Sequence, residues 1–214
     1  MNDHLKQFAT HSAYEAVKNN LDKPNVVLCT QEDEVHYNPY VDPFNGHAYV
    51  DLGLPSGTKW ATVNVGASSE TDYGNYYMYG MGSKTYDSTD TPYDGTEDPL
   101  ATSADTAAQV WGGEWHMPTS AQMEELINNT NNTWTTVNNV NGYKFTSKTD
   151  SSKYIFLPAA GLWNNGSQDM VNSGYYWSSS PFNNDAFELR FGNGGKVVCN
   201  SYRKYGHPVR GVVG

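Results

Sequence analysis

The sequence predicts an α+β fold, rich in loops, with many short strands and two short helices, preceded by a small N-terminal unit. Three observations carry this. Hydrophobic residues make up only 37% of the 214 positions, while 20 Gly and 16 Tyr accompany a heavy load of Asn, Ser and Thr, the composition of turns and short strands. Periodicity of the helical kind occurs twice and briefly in the main part of the chain, whereas alternation recurs throughout it. No repeat with a fixed period of roughly 20 to 50 residues is visible.

The elements follow in order. Residues 10–20, "THSAYEAVKNN", place Ala13, Ala16 and Val17 at helical spacing behind a Thr or Ser cap. Val26 to Cys29 and "VHY" read as strands, and the Asn-Pro and Asp-Pro steps at Asn38 and Asp42 mark a boundary. These features define an N-terminal attachment or packing unit over residues 1–44, with the main domain over residues 45–214. In the main domain, short strands lie around Tyr49 and from Trp60 to Val65, separated by a Pro-Ser-Gly turn. The stretch from Thr71 to Pro99 is aromatic, Gly-rich and acidic, and reads as a long structured surface loop. "SADTAAQVWGG" and "PTSAQMEELINNT" each open on a capping residue, and Met123, Leu126 and Ile127 form an apolar stripe on the second. From Thr130 onward the chain is strand and turn, broken at Asn-Asn, Asn-Gly and Gly-Gly steps.

Charge and composition exclude several functions. A formal charge of −10 opposes nucleic-acid binding, even with Arg190, Lys196, Arg203, Lys204 and Arg210 clustered near the end. The polar start is unlike a conventional signal peptide, and no run approaches the length of a membrane-spanning helix. Cys29 and Cys199 read as free thiols rather than as a disulfide framework.

Catalytic and metal motifs are weak. Asp87, Asp90, Asp94, Glu97 and Asp98 are oxygen ligands of the kind calcium takes, but their spacing departs from a dedicated calcium loop, and a solvated acidic loop is the stronger reading. His116 has neither a nucleophile motif nor a metal-binding partner His beside it. Ser178, Ser179 and Ser180 lack the G-x-S-x-G setting, and "GNGGK" at Gly192–Lys196 is a hairpin turn, too short for a phosphate loop. The expectation is a protein without catalytic residues, metal or cofactor.

Five motifs, "YVDLGLPSGTKWATVNVGASS", "WGGEWHMPTSAQMEELI", "FLPAAGLW", "GYYWSSS" and "VRGVVG", occur in that order. Together they resemble the Fibrobacter succinogenes major paralogous domain, a module of Bacteroidetes and their phages, over residues 47–214. The leader "DKPNVVLCTQEDEVHYNP" resembles that of surface or structural proteins of gut Bacteroides and their phages. The resemblance implies a C-type-lectin-like fold and, in a subset of the family, the variable proteins of diversity-generating retroelements. In those proteins a mutagenised C-terminal segment is the ligand-binding face, and Asn codons are favoured targets.

The resemblance therefore implies a diversified region at about residues 163–208, with Trp163 and Asn164 at its rim. The ligand-binding positions it implies are Phe182, Asn183, Asn184, Asp185, Phe187, Arg190, Asn193, Val198, Cys199, Asn200, Ser201, Tyr202, Tyr205 and His207. Framework positions are Trp177 to Ser180, Ala186, Leu189, Phe191, Val197, Arg203, Gly206 and Val209 to Val212. Glu188, Lys196 and Lys204 lie outside what a randomised Asn codon encodes. Alternation places Leu189 with Phe191 on a core face, and Glu188 with Arg190 on a changeable outer face. Tyr, Asn and Ser are also residues of adaptable binding surfaces. The implied partner is a protein or glycan receptor on a bacterial surface. The implied location is a phage virion, on its tail or capsid, or the bacterial cell surface, with homo-oligomerisation a role for the N-terminal unit. A fixed structural or adhesive protein is the alternative. An enzyme, by analogy with sulfatase-modifying relatives of the same fold, would need a reactive Cys or a metal in a pocket, and Cys199 has no partner visible in the sequence.

Overall fold

A computed structural model describes residues 42–214. The helix expected at residues 10–20, the strands at 26–29 and 35–37, and Cys29 lie outside the described residues. By contacts, the chain divides between Pro39 and Tyr40.

The described residues form an α+β fold of small antiparallel sheets with two short helices. The strands are β1 (Asp42–Phe44), β2 (His47–Val50), β3 (Lys59–Ala61), β4 (Thr130–Val137), β5 (Val140–Ser147), β6 (Tyr154–Pro158), β7 (Leu162–Asn164), β8 (Ser167–Asp169), β9 (Gly174–Phe182), β10 (Asp185–Gly192), β11 (Gly195–Tyr202) and β12 (Val212–Val213). They assemble as β1-β2-β3-β12, β11-β10-β9, β4-β5-β6 and β7-β8. The pairing of β12 with β3 brings the end of the described chain beside its beginning.

Both helices begin where the sequence offers caps. In α1 (Thr106–Trp111) the Asp105 carboxylate accepts from the Ala108 amide at 2.9 Å, and its other oxygen accepts from Met117 N–H at 2.8 Å. In α2 (Ser120–Asn129) Thr119 and Gln122 form a reciprocal capping box. Met123 and Leu126 are buried, with Ile127 packed beside them. The β4–β5 hairpin turns at Asn138 and Asn139, both with positive φ (47° and 64°), as a two-residue turn matched to strand twist requires.

Two cores flank β9. Tyr176 faces one, with Trp60, Met123, Leu126, Phe145, Leu157, Leu189 and Phe191. Its neighbour Trp177 faces the other, with Tyr77, Tyr79, Trp111, Trp115, Met117 and Val209. Successive side chains of a strand point to opposite faces, so β9 separates the two cores. The second core corrects the reading of the long loop. Tyr77, Met78 and Tyr79, in its first third, are buried, and Tyr77 exchanges backbone hydrogen bonds with His207 at 2.9 and 3.0 Å.

Among the described residues no helix is long and apolar enough to cross a membrane.

Candidate functional site

The β9–β10–β11 sheet carries most of the predicted site and divides it into groups. At one end, β9 and β10 join through Asn183 and Asn184, with Phe182 paired to Asp185. The end of β11 lies alongside, pairing Phe187 with Asn200 and Asp185 with Tyr202. This end brings together Phe182, Asn183, Asn184, Asp185, Phe187, Asn200 and Tyr202. All are exposed or half-buried. The rings of Phe182 and Phe187 pack at 5.0 Å, and Asn200 Nδ2 donates to Asp185 Oδ2 at 2.7 Å. Tyr202 meets the half-buried Tyr205 edge to face at 5.6 Å.

Beneath this tip, Arg203 is buried and uses its guanidinium as a fastener. Nη2 donates to Asn183 O (3.0 Å) and Nε to Asp185 O (2.8 Å), while Nη1 donates to Tyr93 O (3.0 Å) and Gly95 O (2.7 Å) of the long loop. These bonds go to backbone carbonyls, so no tip side chain takes part in them. A β-bulge also shapes the tip. Ala186 pairs with Pro181 but Glu188 with Trp177, leaving Ser178–Ser180 as extra length on β9. Ser178 Oγ donates to Phe187 O at 2.8 Å, and Ser180 Oγ accepts from Ser120 N–H at 3.2 Å, so these hydroxyls hold backbone in place.

Further along the ribbon, Arg190 and Cys199 flank Glu188. The outer-face expectation holds for the exposed Arg190 and fails for Glu188, which is wholly buried. The reason is the chain segment that follows β11, which folds back over this face and seats His207 against Trp177 with ring centroids 3.9 Å apart. Glu188 Oε1 accepts from Arg190 Nε at 2.8 Å and from the Cys199 thiol at 3.6 Å. His207 Nδ1 stands 3.2 Å from Glu188 Oε2 but without hydrogen-bond alignment, and His207 Nε2 also lacks a partner. Burial, with the Arg190 charge adding to it, holds the His207 pKa well below its ordinary value, so the ring is neutral. Burial pushes Glu188 upward, with Arg190 opposing. Burial and the Glu188 charge push the Cys199 thiol up to about 11.

The remaining predicted positions scatter. His207 and Ser201 are buried, and Val198 packs against the first core, so these three face inward. Val197, expected as framework, is exposed instead. Asn193 sits in the β10–β11 turn, at the opposite end of the ribbon and roughly 25 Å from the tip.

Trp163 and Asn164, on β7, are half-buried beside the C-terminal segment, with Trp163 and Gly206 exchanging backbone hydrogen bonds at 2.8 and 2.9 Å. A feature not visible in sequence lies here: Tyr86 of the long loop meets Trp163 at 6.1 Å between ring centroids. Together with Lys84, Thr85, Asp87, Ser88 and Gly166 they line an open depression of about 370 Å³. The only sequence signal for it was the aromatic density of the loop.

The acidic loop uses its carboxylates singly. Asp87 Oδ1 accepts from Thr89, Asp90 pairs with Lys84, and Glu97 accepts from Tyr93. Among the described residues no three His, Cys, Asp or Glu side chains are grouped to hold a metal ion. His116 Nδ1 lies 3.0 Å from Glu114 O, beside a backbone bridge to Val212.

A family model described as a domain of unknown function, DUF8237, matches residues 126–212. That span runs from within α2 to β12 and includes every predicted site position. No curated protein and no solved structure matches the chain. What the comparisons establish is that the α2-to-β12 part of this chain is similar to one uncharacterised domain.

Proposed function

We propose that this protein is a non-enzymatic binding protein on a C-type-lectin-like scaffold, and that it recognises a receptor through the tip of the β9–β10–β11 sheet. One observation carries the reading. Positions expected to vary converge at that tip with exposed side chains, while the backbone beneath them is held by Arg203 through carbonyls alone. A surface built this way changes its side chains without losing its shape. Exposed Tyr202 and Phe182 supply contact area at low entropy cost, and Asn183, Asn184 and Asn200 supply adaptable polar groups. The resemblance to variable proteins of diversity-generating retroelements supports the same face, and the reading places the protein on a phage virion or a bacterial cell surface. The partner is a protein or glycan receptor on a bacterial surface.

The test is deep sequencing of the codons for residues 163–208 across a cultured population, aligned with any near-identical repeat nearby. Substitutions at adenine-matched codons of Asn183, Asn184, Asn200 and Tyr202, sparing Leu189, Phe191, Arg203 and Arg210, support the reading. Invariance, or equal change at buried and exposed codons, overturns it in favour of a fixed structural or adhesive protein.

A further inference from the structure

Tyr86 and Trp163 incline at 43° to each other, making a shallow aromatic V. It is a built feature. Gly206 lies beneath it, and a Cβ there would stand 2.7 Å from the Tyr86 ring and 3.0 Å from the Trp163 side chain. Only glycine lets the two rings close at this point. Tyr76 supports Trp163 edge to face at 6.2 Å, and the Tyr86 hydroxyl accepts from the Gly166 amide at 3.3 Å, tying the loop to the β7–β8 turn.

The rim is polar. Asp87 is exposed, and both its hydrogen bonds from Thr89 fall on Oδ1. Ser88 and Thr85 add hydroxyls, and the Lys84 ammonium is balanced by Asp90. An aromatic floor with a near-neutral rim of hydroxyl, carboxylate and ammonium groups matches one ligand chemistry. A pyranose ring lays its C–H face on the negative face of an aromatic ring and presents hydroxyls at its edge. A planar base fits poorly, because inclined rings cannot sandwich it, and a phosphate meets a chain of charge −10.

We infer that the Tyr86–Trp163 depression is a binding site for one uncharged pyranose residue of a glycan. The site shares Trp163 with the rim of the region proposed to vary but contains none of the sheet tip, so the Asp87 and Tyr202 variants below separate its failure from that of the diversified-face reading.

The experiment is saturation-transfer NMR on the full chain with methyl β-D-glucopyranoside, methyl β-D-galactopyranoside and methyl α-D-mannopyranoside, each at ~20 mM, in the range suited to a single weakly held sugar. The expected result is transfer to the ring C–H protons of at least one glycoside, with a matching shift of the Trp163 indole N–H resonance, assigned with Trp163→Phe. Asp87→Ala, on an exposed loop, weakens that binding roughly tenfold, and Tyr202→Ala leaves it unchanged. No transfer to any of the three glycosides overturns the inference. So does transfer that leaves the Trp163 resonance unmoved, or binding that Asp87→Ala does not alter.

Discussion

Arg203 Nη2 donates to the carbonyl of Asn183 at 3.0 Å, joining a buried cation to the exposed β9–β10 turn. The same guanidinium reaches Asp185, Tyr93 and Gly95, so one side chain fixes the turn and the long loop together. Replacing it with Met leaves four carbonyls without their charged donor. Arg203→Met is expected to cost about 3 kcal/mol. Hydrogen exchange should accelerate at Asn184 and Asp185 well before it does in α2. Equal acceleration everywhere would show that the fastener is not local.

Arg210 plays a comparable part in the interior. It is buried without an ion pair to a carboxylate among the described residues, and donates to Asn64 Oδ1, Ala61 O and Phe156 O, each at 2.9 Å. Burial lowers its pKa to about 10, so it remains charged at neutral pH. Arg210→Met should lose at least about 3 kcal/mol in urea unfolding, and Arg210→Lys should recover little, because an ammonium cannot present donors in the same planar fork.

His207 is neutral in the fold, its pKa pushed below 6.5 by burial. The unfolded chain binds a proton there that the folded chain refuses. This contribution is therefore present above pH 6.5 and is lost as pH falls below it. The raised Glu188 acts in the opposite direction, so the comparison needs a variant that keeps it. The stability advantage of the native chain over His207→Phe should shrink between pH 7.5 and 5.5, by at most about 1.4 kcal/mol per unit. A constant difference across that interval would contradict the assignment.

Asn183 sits at φ 54°, a conformation costly for side chains other than Gly, Asn and Asp. Asn183→Ala should cost about 1 kcal/mol, and Asn184→Ala less than about 0.5. If the tip is diversified, the folded variants recovered at position 183 should be enriched in Gly, Asn and Asp relative to position 184. Matching distributions at the two positions would refute the backbone constraint.

Cys199 is half-buried and its thiol pKa is raised to about 11 by burial and Glu188. Alkylation by iodoacetamide at pH 8 should run on the order of a hundredfold slower than for a free thiol, and Glu188→Gln should speed it. Rapid labelling at Cys199, followed on its own peptide so that Cys29 does not contribute, would count against the Glu188 contact.

Local chemistry was legible wherever it is decided within a few residues. The Ser or Asp cap ahead of α1 and the Thr or Ser cap ahead of α2 marked both helix starts, and the Asn-Asn step marked a turn between strands. The alternation of Leu189 and Phe191 marked a core face for the same reason. The Glu188–Arg190 face was misread in part. Alternation gives which side of a ribbon a residue takes, but not what another segment will lay over that side.

The sequence by itself thus determined the short elements, their caps and turns, and the inward row of β10, because hydrogen bonding and side-chain period act over neighbouring residues. Only the tertiary structure decided that the segment carrying His207 closes over Glu188, that Arg203 spans from the sheet tip to Tyr93, and that Tyr86 meets Trp163 above Gly206. Those contacts join residues far apart in sequence, as Arg203 and Tyr93 do across 110 positions. They depend on how separate elements pack, which no local pattern encodes.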